Sequence, residues 1–172
     1  IVQGGEAVLG DDAGGSSLLQ PVGLAPGDYT IEFDFLNALA GLNPSADFFT
    51  FPDVFFASLY FSNTPAFDLL SLPLPGLALF DLDASGPYNA AGLITQSPKG
   101  GEWQHFSLIF SNVHPFAVPV FELFDLDFEQ ANSIVRLDNI VISGGAGEIP
   151  EPGTLLLLSA GAFALLRKKK SS

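Results

Sequence analysis

From Tyr29 to Phe35 the chain reads Tyr-Thr-Ile-Glu-Phe-Asp-Phe, with apolar residues at every second position and polar ones between them. Only an extended strand has a side-chain period of two, so Tyr29, Ile31, Phe33 and Phe35 share one face and Thr30, Glu32 and Asp34 the other. That is the pattern of an antiparallel strand with one face on a core and one toward water. The motif is not isolated. Ser17 to Gln20 precedes it across a Pro26-Gly27-Asp28 turn, and Val54 to Phe61, Phe67 to Leu72, Gly76 to Asp83, Ala90 to Thr95, Trp103 to Phe110, Val118 to Phe128 and Ile134 to Ile142 follow, each bounded by Gly, Pro or Ser. Pro73 and Pro75 forbid a central strand between the third and fourth of these. About eight or nine strands at such spacing predict an all-β, antiparallel β-sandwich over residues 1–144. Phe33, Phe35, Phe56, Phe106, Leu108, Phe110, Ile140 and Ile142 are its expected core, with Glu32, Asp34 and Gln104 facing outward. Val54 to Phe61 contains the adjacent pairs Phe55-Phe56 and Tyr60-Phe61, so it is either a central strand covered on both sides or an exposed aromatic patch.

The 172 residues include no cysteine, which excludes a disulfide framework, a thiolate metal site and a cysteine nucleophile. Packing must hold the fold, and seventeen phenylalanines supply it. Four of the six cations are the last four charges of the chain, leaving Lys99 and Arg136 against nineteen acids, a net charge of −17 for residues 1–152. Such a surface repels phosphate and excludes nucleic acid as a partner. It favours solubility and cations, of which Ca²⁺ is the one that takes carboxylate and carbonyl oxygens. Leu79-Phe80-Asp81-Leu82-Asp83 recurs at Leu123 to Asp127. Each aspartate pair lies on one strand face, the appearance of a solvated face and also of half a cation site.

The last residues, EIPEPGTLLLLSAGAFALLRKKKSS, have three parts in fixed order. Pro150, Glu151 and Pro152 form an extended, exposed tripeptide that can join neither helix nor ladder. An uncharged run follows, with Gly153, Leu155, Leu156, Leu157, Leu158, Phe163, Leu165 and Leu166 as its membrane-facing residues. Residues 153–166 reach about 21 Å as a helix, short of a hydrocarbon core of about 30 Å, so a span requires thinning or snorkelling. Arg167, Lys168, Lys169 and Lys170 hold the C-terminus in the cytoplasm and place everything before it on the far side.

Residues 148–170 resemble the PEP-CTERM sorting signal, whose bearers are substrates of the membrane-embedded transpeptidases called exosortases. The resemblance implies export, transient membrane insertion, processing near Pro150 to Pro152, and delivery to the cell surface or polysaccharide matrix. Residues 145–149 are then a linker between the 1–144 domain and a 150–170 signal. The chain begins at Ile1 with neither methionine nor a leader, for which a removed signal peptide and a fragment are equally good accounts. Within the domain, SSLLQPVGLAPGDYTIEFDF, EWQHFSLIF and VRLDNIVISG resemble the jelly-roll domains of PEP-CTERM proteins, similar in turn to galactose-binding-like carbohydrate-binding modules. That resemblance implies a structural Ca²⁺ held by Asp138, beside Asn139, together with Glu6. No cofactor is required otherwise.

Catalytic signatures are absent: there is no P-loop, no dinucleotide glycine fingerprint and no HExxH. His105 lies mid-strand on a polar face and His114 precedes Pro115 in a turn, neither with a motif partner. The chain is therefore expected not to be an enzyme but a non-catalytic component of an extracellular polysaccharide or biofilm matrix. The alternatives are a lectin-like module, with Trp103, Tyr60 and Tyr88 as the aromatic faces for a sugar, and a polysaccharide hydrolase.

Overall fold

The computed structural model describes residues 5–10, 15–40, 52–66, 75–124 and 133–144. Within them the chain is all-β. The strands are β1 (Ala7–Gly10), β2 (Ser16–Leu19), β3 (Val22–Gly23), β4 (Gly27–Ala38), β5 (Val54–Ser62), β6 (Gly76–Asp83), β7 (Gly86–Tyr88), β8 (Leu93–Gln96), β9 (Gln104–Asn112), β10 (Phe116–Phe124) and β11 (Ile134–Gly144). They form two antiparallel sheets, ordered β1-β11-β4-β9-β8 and β2-β10-β5-β6-β7, with β3 also on β10. The chain passes from one sheet to the other between β1 and β2, β3 and β4, β4 and β5, β7 and β8, β9 and β10, and β10 and β11. This interleaved winding is that of a jelly roll.

Phenylalanines from the inner faces fuse the sheets. Phe33 of β4 stacks on Phe106 of β9 at 5.1 Å, and reaches across to Phe80 of β6 at 5.9 Å and to Phe121 of β10 at 5.0 Å, edge to face. All four are fully buried or within 1% of it. Aromatic pairs in these geometries each add about 0.5–1.5 kcal/mol beyond the area they bury, which compensates for the missing disulfides.

Tyr29, Ile31, Phe33 and Phe35 are buried on one face of β4, and Phe106 and Phe110 on the matching face of β9. Leu108, Ile140 and Ile142 pack against this core while partly exposed. Phe56 differs from expectation. Strand β5 is central, between β10 and β6, and directs Phe55, Ala57, Leu59 and Phe61 inward. Phe56 lies on the outer face, half-buried, with its ring 5.6 Å from that of Phe124. The period is read correctly there, but its phase is off by one, because both members of each aromatic pair are apolar.

The Leu79–Asp83 copy of the repeat also departs from simple alternation. Ala57 pairs with Phe80 and Ser58 with Ala78, so Leu79 is the extra residue of a bulge, and Leu79 and Phe80 are buried consecutively. In the second copy Leu123 is buried and Phe124 exposed; Asp125 and Asp127 lie outside the described residues. Pro119 sits in a central strand where the neighbour of β10 changes from β2 to β3, a gap in the ladder. A missing donor costs little at such a gap. The expected strand Phe67 to Leu72, the linker 145–149 and the whole 150–170 segment lie outside the described residues. Among the described residues no helix is long and apolar enough to cross a membrane.

Candidate functional site

The outer face of the five-stranded sheet carries a ladder of acids on β4 facing hydrogen-bonding residues on β9. Asp28 pairs with Ser111, Glu32 with Ser107 and Asp34 with His105. Ser111 Oγ donates to Asp28 at 2.6 Å, and Ser107 Oγ to Glu32 at 3.4 Å. Alternation places these residues together. What alternation does not reveal is that Asp34 is only 3% exposed.

Asp34 was expected on the solvent side, and it is on that face of the sheet, but neighbours bury it. His105 Nδ1 stands 3.0 Å from one carboxylate oxygen, and Asn139 Nδ2 donates to the other at 2.6 Å. An ionised carboxylate can only accept, so Nδ1 is the protonated nitrogen in this contact. Burial pushes the Asp34 carboxyl up, but the hydrogen bonds from Asn139, His105 and Ser97, with the charge on His105, outweigh it and hold the group below its ordinary value. The other imidazole nitrogen, Nε2, faces Glu32 at 3.8 Å.

Asn139 reaches Asp34 because β11 bulges. Asp138 pairs with Asp34 and Val141 with Glu32, so Asn139 and Ile140 together oppose Phe33. Asn139 takes φ = 52°, a left-handed conformation that Asn tolerates better than most residues. Its backbone N–H donates to Asp138 Oδ1 at 2.7 Å, closing the turn locally. The other Asp138 oxygen receives Lys99 Nζ at 2.5 Å, and the same ammonium lies 3.5 Å from the centre of the Trp103 ring. Lys99 thereby ties the β8–β9 turn to β11 by charge. The Lys99 contact, and then the Asn139 N–H, lower the Asp138 carboxyl below its ordinary value.

The expected metal pair, Asp138 and Glu6, thus lies on one sheet face, but each carboxylate holds a cationic side chain. Glu6 accepts from Arg136 Nη1 at 3.0 Å. Among the described residues no group of three or more His, Asp or Glu is arranged to hold a metal ion. The expected sugar-facing aromatics are divided between the sheets. Trp103 is on the five-stranded sheet with Lys99 over its ring. Tyr60 is on the outer face of the six-stranded sheet, against Gly76, where an added Cβ would come within 2.8 Å of its ring. Tyr88, on edge strand β7 opposite Asp81, is 39% exposed, and partial burial with the charges of Asp81 and Asp83 pushes its phenol up. His114 stacks on Phe61 at 5.8 Å. Sequence reading missed the partnership of Asp34, His105 and Asn139. The one signal available was Asp-Asn at a strand register that must bulge.

The arrangement can position an imidazole and present hydroxyls and carboxylates along a flat sheet face. Ser107 Oγ donates to Glu32 and not to the imidazole. No curated protein and no solved structure matches the chain. Residues 148–170 match the PEP-CTERM protein-sorting motif, including all of the Pro-Glu-Pro, the apolar run and the basic cluster. The motif implies a secreted, membrane-associated substrate recognised by exosortase.

Proposed function

We propose that this chain is an exported β-sandwich that exosortase processes at Pro150 to Pro152 and that then resides at the cell surface or in the extracellular polysaccharide as a non-catalytic matrix component. The observation that carries this reading is the sorting motif at residues 148–170. The transient membrane segment is 153–166, oriented by Arg167 to Lys170 from the periplasmic to the cytoplasmic side. The non-catalytic role is supported by the ladder on the outer sheet face, where each acid is already matched by a hydroxyl or imidazole partner.

The test is the intact mass of the protein recovered from cells, in the wild type and with Pro150, Glu151 and Pro152 all replaced by alanine. Processing should shorten the wild type and leave the variant at precursor mass in the membrane fraction. A mature-sized product from the variant would remove the sorting reading. Recovery of the wild type only from the membrane, and never from the polysaccharide fraction, would remove the matrix reading alone.

A second reading, a carbohydrate-binding face, has one observation in its favour: Trp103, His105, Glu32 and Asp138 gather on one sheet surface. Pyranose recognition combines an aromatic face with convergent polar groups of this kind. A glycan array with wild type and Trp103→Ala separates it from the matrix reading.

A further inference from the structure

Asp34 also sets which nitrogen of His105 carries a lone pair. Because its ionised carboxylate accepts from Nδ1–H, the neutral imidazole keeps its lone pair on Nε2. That nitrogen faces Glu32 Oε1 at 3.8 Å, so two acceptors confront one another across the outer sheet face. The separation exceeds a hydrogen bond, whereas bonds of about 2.0–2.2 Å from an imidazole nitrogen and a carboxylate oxygen to one metal ion span it with a bend at the ion. Neighbouring groups do not relieve the pair. The described cations Lys99 and Arg136 are engaged by Asp138 and Glu6. Thr95, opposite His105 on β8, and Val141, opposite Glu32 on β11, are uncharged. Ser107 Oγ, at 3.4 Å, is a long donor that leaves Glu32 Oε1 a lone pair. The two side chains are accessible, 29% exposed for His105 and 41% for Glu32.

We propose that His105 Nε2 and Glu32 Oε1 form a labile binding site for a divalent transition-metal ion of the Zn²⁺ or Cu²⁺ class, separate from the Asp138 and Glu6 pair. An imidazole ligand selects such ions over Ca²⁺, which takes oxygen ligands. The support behind the imidazole is the one metal-bound histidines use: the nitrogen away from the ion donates to a carboxylate, which fixes the tautomer and the ring. Here that carboxylate is buried Asp34, itself held by Asn139 across the β11 bulge. Two protein ligands are fewer than a resident metal centre uses, in keeping with the absence, among the described residues, of a group of three. The remaining coordination positions are left to water or to oxygens of a bound molecule, so the ion exchanges.

Trp103, the single tryptophan, stands two residues before His105, and Cu²⁺ quenches indole emission at short range, so quenching reports this site above the carboxylates elsewhere. The full chain in non-ionic detergent is titrated with Cu²⁺ at pH about 7.5, above the ordinary imidazole value of about 6.5. Quenching should saturate, Zn²⁺ should compete with it, and Ca²⁺ should not. His105→Gln and Glu32→Gln should each weaken binding about tenfold or more, Asp34→Asn about 10–100-fold, and His114→Gln should leave it unchanged. A ¹⁵N spectrum of the wild type with Zn²⁺ keeps the test independent of how the variants fold: the ion should shift Nε2 of His105 and leave Nδ1 the protonated nitrogen. No saturable quenching at millimolar Cu²⁺ would overturn the proposal. So would a loss in Asp138→Asn equal to that in His105→Gln, which would move the ion to the Lys99 corner, or an Nε2 that keeps a proton when Zn²⁺ is added.

Discussion

The side-chain amide of Asn139 donates to Asp34 across the β4–β11 pair at 2.6 Å, and the left-handed backbone of Asn139 is what brings it there. Two properties of one residue are therefore separable by substitution. Asn139→Gly keeps the conformation and removes the donor, leaving a buried carboxylate one partner short, and should cost about 1–3 kcal/mol. Asn139→Ala should cost about 1–2 kcal/mol more, because a Cβ disfavours the left-handed region. Urea unfolding of the two variants measures the difference; equal losses would mean that the bulge conformation carries no strain.

Asp34 makes stability depend on acid. Its folded value is depressed below the ordinary 3.8, so the stabilisation is fully present above that pH and is lost as pH falls through the lower, folded value. The gap in unfolding midpoint between wild type and Asp34→Asn should be constant from neutrality down to about pH 4 and close as pH falls further through the lowered folded value. A gap that stays constant at every pH would show that the carboxylate charge contributes nothing.

Glu122 has the opposite sign. Burial on the outer face of β10 pushes its carboxyl above the ordinary 4.5, so ionisation opposes folding at neutral pH and ceases to do so below 4.5. Glu122→Gln should therefore raise the unfolding midpoint at neutral pH, with the gain disappearing in acid. A variant less stable than wild type at neutral pH would show that the carboxylate makes a compensating contact.

How far the sequence determines the inner faces is clearest on β4 and β5. Polar residues alternate with apolar ones along β4, and its buried face is legible residue by residue. In β5 aromatic residues stand on both faces, so the pairs Phe55-Phe56 and Tyr60-Phe61 obscure the phase; Ser58 and Ser62, on the face of Phe56, are the polar marks that place Phe55 inward. The Asp34 cluster was hidden for a different reason. Its members are 71 and 105 residues apart in the chain, and a bulge, not a pattern, joins them. The sorting signal needed no fold at all, because its chemistry is a linear order of rigid, apolar and basic segments. The β5 assignment predicts that Phe55→Ala costs about 3–5 kcal/mol. Phe56→Ala, half-exposed on the other face, should cost about 1–2 kcal/mol. Reversed values in thermal or urea unfolding would place the wrong phenylalanine in the core.

Lys99 links Asp138 to Trp103, the single tryptophan of the chain, so its fluorescence reports on this corner alone. Partly exposed ion pairs and cation–π contacts are worth about 1 kcal/mol or less, so Lys99→Met should alter Trp103 emission strongly and the unfolding midpoint little. The same probe decides what Asp138 can bind. With Lys99 on its carboxylate, Ca²⁺ has to compete against a cation already in place, so wild-type emission should not respond to added calcium or chelator. Lys99→Met frees that oxygen beside Asp34 and Glu32, and a calcium response should then appear that Asp138→Asn abolishes. A response in the wild type, lost in Asp138→Asn, would instead show that calcium displaces the lysine and that Asp138 is a ligand in the native protein.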